Sequence, residues 1–251
     1  NQDNIDIMNT LLRIFTLFVT ISAATQVSAD DIAELKQSLA KTLPQYEASY
    51  IEKTPVEGIY QVIIGGQVIY MTKDARYMID GNLIDLSTKK NYTEDAMSGI
   101  RLSQIEKLGE DKMVVYTPEN IKHTITVVTD IDCPYCRRLH NEMDQYMAGG
   151  VQVRYIFMPL KGKSDFRTTV SVWCAKDRNE ALDMAKAGAE LEAKDCENPI
   201  NEHLTVSRSL GVRGTPAIIL QDGSMLPGYV PASKLIAELQ KLNLSTAKSG
   251  S

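Results

Sequence analysis

Metal ligands of the nitrogen and sulfur kind are scarce in this 251-residue chain, which has three histidines and four cysteines. A structural zinc needs four such groups at matching spacing. Cys174 and Cys196 could add sulfur to Cys133 and Cys136, but there is no second C-x-x-C. No metal and no cofactor are therefore expected. Excess charge of one sign is also missing. The net charge is −5, and Lys and Arg alternate with Asp and Glu, so no basic stripe exists for nucleic acid to bind. There is no internal repeat, and no low-complexity segment beyond a polar tail after Leu244. The length allows one large domain or two modest ones, and the apolar fraction of 43% is ordinary for a globular core.

Nor is there an apolar run long enough for a membrane span. Ile14–Ala24 is the longest. It follows Arg13 and leads to the small residues Val27-Ser28-Ala29 ahead of Asp30, the pattern of a cleavable secretory signal over 1–29. A buried apolar helix is the alternative. Asp3 and Asp6 stand where such a leader should be basic, so Met8 is an alternative start. A secreted chain folds where thiols oxidise, and disulfides then become the default reading of cysteines.

Beyond Asp30, Ile32, Leu35 and Leu39 recur at helical spacing, predicting a helix over 30–43 that ends at Pro44. Residues 58–64 and 67–72 are β-rich and joined by Gly65-Gly66, the chemistry of a two-residue hairpin turn. Shorter strands are predicted over 77–79 and 83–86. Thr93 reads as the N-cap of a helix with Glu94 and Asp95 in its first turn and Met97, Ile100, Ile105 and Leu108 on one face. Strands are then predicted over 113–116 and 124–129, a helix over 134–147, a strand over 151–158, and helices over 166–175 and 180–191. Short strands over 217–220 and 225–226 flank Asp222-Gly223, and a last helix opens at Pro231. This order makes an α/β domain over 112–245, preceded by a small α+β domain over 30–91 and a linker helix over 92–111, with a tail over 246–251.

Cys133-Pro134-Tyr135-Cys136 stands where a nearly uncharged strand meets a helix. Proline suits the first helical position, because its missing N–H would be unpaired there anyway. Cys133 at the N-cap then faces free N–H groups and the positive end of the helix dipole, which favour thiolate. Cys136 lies one turn in, close enough to attack a mixed disulfide on Cys133. Asp130 and Asp132 would oppose the thiolate if ionised and close. A thiol of pKa about 8.5 is roughly 3% ionised at pH 7. Lowering its pKa scarcely speeds attack, because nucleophilicity falls with a slope of about 0.4–0.5. The larger gain is thermodynamic: about 3 pKa units stabilise the reduced form by roughly 4 kcal/mol. An inert bridge is the alternative, but so small a loop contributes little.

Thr215-Pro216 precedes a predicted strand, and the proline is only a candidate for a cis bond, trans being the default. Cys174 and Cys196 most simply pair with each other, a bridge of roughly 3 kcal/mol on chain-entropy grounds. His140 reads as a surface residue. Tyr46, Tyr50 and the methionines read as packing.

The run Thr129–Cys136 resembles the active site of the periplasmic disulfide isomerases of DsbC/DsbG type. Val172–Asp177, Gly211–Pro216 and Pro227-Gly228-Tyr229 are similar to that family too, and the likeness covers Asp30 to about Leu242. The resemblance implies a thioredoxin-like fold with a helical insertion, an N-terminal dimerisation domain and a V-shaped homodimer whose sites face an uncharged cleft. It implies that Cys133 is the nucleophile and Cys136 the resolving thiol, that Pro134 and Tyr135 help bind substrate, and that Thr215 and Pro216 form the cis-proline loop that pairs with substrate backbone. It also implies a structural Cys174–Cys196 disulfide. Pro134 is the DsbG-like choice, whereas that extra disulfide is DsbC-like. The expected activity is isomerisation and reduction of misoxidised secreted proteins in the periplasm, with a DsbD-type membrane electron donor. A net dithiol oxidase, or a chaperone binding unfolded chains in the cleft, are the alternatives.

Overall fold

A computed structural model describes residues 22–160 and 162–249. Residues 1–21, which hold Met8, Arg13 and most of the apolar run, lie outside the described residues, and so does most of the predicted leader. The chain forms two units, Asn1–Gly81 and Asn82–Ser251.

In the first unit, helix α1 (Ser22–Thr42) runs through Ala29 and Asp30 and stops just before Pro44. Its Leu35 and Leu39 are buried against Ile51, Tyr60, Val62 and Met71, as their helical spacing requires. The sheet is antiparallel in the order β1 (Ala48–Lys53), β2 (Ile59–Ile64), β3 (Gln67–Thr72) and β4 (Met78–Ile79). Ile64 pairs with Gln67 across Gly65 and Gly66, whose φ values of +60 and +79 are what a two-residue turn demands. Strand β1 has no counterpart among the sequence expectations. Of its side chains only Ile51 is buried, and a bulge between Ala48 and Tyr50 breaks the alternation. The strand expected over 83–86 is reduced to one bridge, Ile84 to Asn91.

The first helix of the second unit, which starts at Asn82 and holds that bridge, is α2 (Tyr92–Leu108). Its N-cap is Asn91, not Thr93: Asn91 Oδ1 accepts the Glu94 N–H at 3.1 Å. Thr93 sits inside the first turn, where its hydroxyl accepts the Leu83 N–H at 2.8 Å. Asn91→Ala is expected to lower the stability of this unit by about 1 kcal/mol in urea unfolding. A change under about 0.3 kcal/mol would show that the cap is dispensable. Helix α2 packs onto the second unit, with Ile105 and Leu108 against Val128, Ile156 and Leu210. Arg101 is buried there, donating to the carbonyls of Leu210 (3.1 Å) and Gly223 (3.0 Å) and paired with Glu94.

The main sheet has the order β5 (Val114–Tyr116), β7 (Val151–Phe157), β6 (His123–Thr129), β8 (Ala217–Ile219) and β9 (Met225–Pro227). Strands β6 and β7 are parallel and every other pair is antiparallel. Successive side chains of β6 feed opposite cores. Ile125 and Val127 meet Leu139, Leu182 and Leu235, while Val128 meets the α2 side. Besides α2, six helices among the described residues cover the faces: α3 (Pro134–His140), α4 (Met143–Ala148), α5 (Lys163–Trp173), α6 (Arg178–Lys186), α7 (Ile200–Ser209) and α8 (Ala232–Ser249).

The single helix expected over 134–147 is thus two. Glu142 leaves helical geometry at φ −99 and ψ 13. Its carboxylate accepts the Tyr229 hydroxyl at 2.5 Å and the Ala232 N–H at 2.7 Å, so the break caps the start of α8. The helix expected over 180–191 stops at Lys186. Helix α7 has no sequence counterpart. Cys174, at the C-terminal end of α5, is bonded to Cys196 ahead of α7.

Candidate active site

Strand β6 ends at Thr129 and helix α3 begins at Pro134, which leaves Cys133 at the N-cap with φ −73 and ψ 122. Its carbonyl starts the helix by accepting the Arg137 N–H at 3.0 Å. Cys133 is partly exposed and Cys136 is buried, both with free thiols. Tyr135 is 60% exposed and marks the outer face of the site.

The Thr215-Pro216 bond is cis. The Thr215 carbonyl lies 3.3 Å from Cys133 Sγ, and the thiol donates to it. The sulfur's acidity is set by opposing influences. Partial burial works against the charge. The N–H groups of Cys136 and Tyr135 and the side chains of Thr215 and Cys136 outweigh it, and Cys133 is held below the ordinary thiol value. Cys136 goes the other way: burial pushes its thiol up, against the pull of Lys186 and of hydrogen bonds from Asp130 and Thr129. The two sulfurs of one motif thus differ in ionisation because one sits at the helix mouth and the other one turn inside.

The two aspartates beside the motif are occupied. Asp132 pairs with Arg137 at 2.9 Å. The buried Asp130 carboxylate accepts the N–H groups of Asp132 (2.7 Å) and Leu160 (3.1 Å). Cys133, Cys136, Thr215 and Pro216 therefore form one cluster. The Cys174–Cys196 disulfide takes no part in its contacts.

His140 corrects the surface reading. It is 7% exposed, and its ring meets Tyr155 Oη at 3.1 Å and Asp183 Oδ1 at 2.9 Å. Burial holds it below its ordinary value. Lys186 is the other residue that sequence reading misses. It is buried at the end of α6, where it donates to Thr129 Oγ1 and to the Asp130 carbonyl. The signal was its spacing: Leu182 and Lys186 are one turn apart on the inward face. Among the described residues, no group of three or more His, Cys, Asp or Glu side chains is arranged to hold a metal ion. No helix among them is long and apolar enough to cross a membrane.

A reactive thiol held open at a helix mouth beside a buried second thiol can open a disulfide in another molecule and then release it. Known proteins agree with that chemistry. Residues 110–243 match the thioredoxin-like domain family, and residues 25–94 match the disulfide bond isomerase protein N-terminal domain. The thiol:disulfide interchange protein DsbC of Escherichia coli (strain K12) is 37% identical over 225 residues, 88% of this chain and 92% of its own length. The chain belongs to the DsbC family. A second member, DsbC of Salmonella typhimurium, is 36% identical over 239 residues, 93% of this chain and 98% of its own. The crystal structure of a disulfide interchange protein from Neisseria gonorrhoeae is 28% identical, with a TM-score of 0.48 over 53% of this chain and 98% of its own. This DsbC-family chain is thus a thiol–disulfide oxidoreductase with a thioredoxin-like domain.

Proposed function

We propose that this oxidoreductase edits misoxidised secreted proteins in the periplasm, with Cys133 as the attacking sulfur and Cys136 as the resolving one. The observation that carries the assignment is the split between the two thiols: Cys133 is partly exposed and held below the ordinary thiol value, and Cys136 is buried and held above it. The Cys133 thiolate bonds to one sulfur of a substrate disulfide, and the other substrate sulfur leaves with the electron pair. Isomerisation follows when a substrate thiol displaces Cys133. Reduction follows when Cys136 does so, forming a Cys133–Cys136 disulfide that an external dithiol must reduce. A DsbD-type membrane donor fits that need, and a homodimer fits the DsbC-type N-terminal domain. Pro134, Tyr135, Thr215 and Pro216 are the substrate-facing residues in this reading.

Refolding of a scrambled multi-disulfide protein in glutathione buffer tests the activity. Yield and rate are expected to rise with enzyme, and parity with glutathione alone would remove the proposal. The resolving role has its own test. Cys136→Ala is expected to accumulate substrates bonded to Cys133 that dithiothreitol releases, whereas wild type carries few. Acid-quenched alkylation in cells should find the pair reduced. A mostly oxidised pair would favour a net oxidase instead.

A further inference from the structure

Lysine is almost never fully buried unless paired, because desolvating the ammonium is costly. Lys186 is 2% exposed, and both of its direct partners are neutral: the Thr129 hydroxyl at 2.8 Å and the Asp130 carbonyl at 2.7 Å. The Asp130 carboxylate is turned to the amides of Asp132 and Leu160 instead. The strongest attraction Lys186 feels is from Cys136, followed by Asp130 and Cys133, with Arg137 opposing. His140 on α3 also feels its charge, and Asp183 on α6 is taken up by His140 and Tyr116. The Thr129 hydroxyl accepts from Lys186, which leaves its single proton to donate elsewhere, and Lys186 and Thr129 both pull the Cys136 thiol down against burial. The ammonium and the hydroxyl it binds thus act together on the resolving thiol.

We propose that Lys186, acting through the Thr129 hydroxyl, is the positioning residue that readies Cys136 for attack on a Cys133 mixed disulfide, and so sets how often that species is closed by the enzyme rather than by a substrate thiol. The inference rests on the roles given above to the two cysteines. In the step concerned, Cys136 gives up its proton and its sulfur bonds to Cys133 Sγ. The bond from Cys133 to the substrate sulfur breaks, and that sulfur leaves with the electron pair and takes up a proton. The two enzyme thiols are oxidised and the substrate disulfide is reduced. Lys186 keeps its proton throughout. Burial pushes its value down to about 8, which still leaves it about nine-tenths charged at pH 7.

Stopped-flow reaction of the reduced full chain with 5,5′-dithiobis(2-nitrobenzoate) separates the two sulfurs. The first nitrothiobenzoate is released by Cys133 and the second by Cys136 attacking the mixed disulfide. Lys186→Met is expected to slow the second phase about 10-fold at pH 7 and move its pH midpoint up by about one unit, while the first phase changes less than about threefold. Thr129→Val keeps the ammonium and removes only the hydroxyl, and it should slow the second phase about threefold. A second phase and midpoint unchanged in Lys186→Met would overturn the inference. Equal slowing of both phases would also overturn it, because a merely structural lysine acts that way. If Lys186→Met does not fold, Thr129→Val decides alone, and an unaltered second phase is fatal. Cys136→Ala provides the separation from the underlying assignment. If it still releases two equivalents, the cysteine roles themselves are wrong. If it releases one and the Lys186 variant is unaltered, only the inference fails.

Discussion

Cys133→Ala is expected to drop disulfide exchange to the rate of the thiol buffer alone, a loss on the order of 10³-fold or more, as removal of an attacking nucleophile typically produces. The size follows from where the remaining sulfurs lie. Cys136 is 1% exposed and its thiol is favoured, so it cannot take over attack on a protein disulfide. Cys174 and Cys196 are bonded to each other. The contrast with Cys136→Ala is diagnostic, because that variant keeps the attacking sulfur and should retain isomerisation while losing reduction. Residual isomerase activity above about one-tenth of wild type in Cys133→Ala, far outside the loss expected for a nucleophile, would place the attacking sulfur elsewhere.

Acid is expected to destabilise the second unit as pH falls from 6.5 toward 4, and His203 is a main reason. It is fully buried. Its Nδ1 accepts the Phe157 N–H at 3.2 Å, and its Nε2 lies 2.7 Å from the Lys112 carbonyl. One nitrogen accepting and the other donating is the neutral ring, and protonation would set an N–H against the Phe157 N–H. Burial pushes its value from 6.5 down to about 4. The unfolded chain therefore binds the proton more readily. The stabilisation is fully present above pH 6.5 and is lost as pH falls toward 4, by about 2–3 kcal/mol at pH 4.5. His140, also held low by burial, adds to the same trend. Carboxylates held low, such as Asp85 at about 2, titrate below this window. Urea unfolding at pH 7 and 4.5 measures the loss. His203→Gln, whose amide can donate and accept without titrating, should remove at least half of it. A variant as acid-sensitive as wild type would exonerate His203.

What could be read from sequence was local. Cys133 at a helix mouth follows from four adjacent residues, because proline at the first helical position and a nearly uncharged strand before it leave little choice of geometry. The Gly65-Gly66 hairpin was legible for the same reason. What escaped depended on partners distant in the chain. Glu142 breaks a helix to meet Tyr229 and Ala232, some 87 and 90 residues away. His140 looks like a surface residue until Tyr155 and Asp183 close over it. Lys186 carries the most polar of side chains on an inward face, where periodicity alone argues for an apolar one. Strand β1 hides because edge position and a bulge erase its alternation. The N-cap was displaced by two residues because Thr93 is claimed by Leu83.

The disulfide between Cys174 and Cys196 has a consequence for the protein's own birth. A catalyst of sulfur exchange must itself acquire a bridge, so each newly made copy is a client of oxidation before it serves others. The same molecule then has to keep that bridge closed while Cys133 and Cys136 stay open. Reductant chosen without discrimination would open the permanent bond along with the working pair, so preparations meant to hold the working form call for a donor weak enough to spare it.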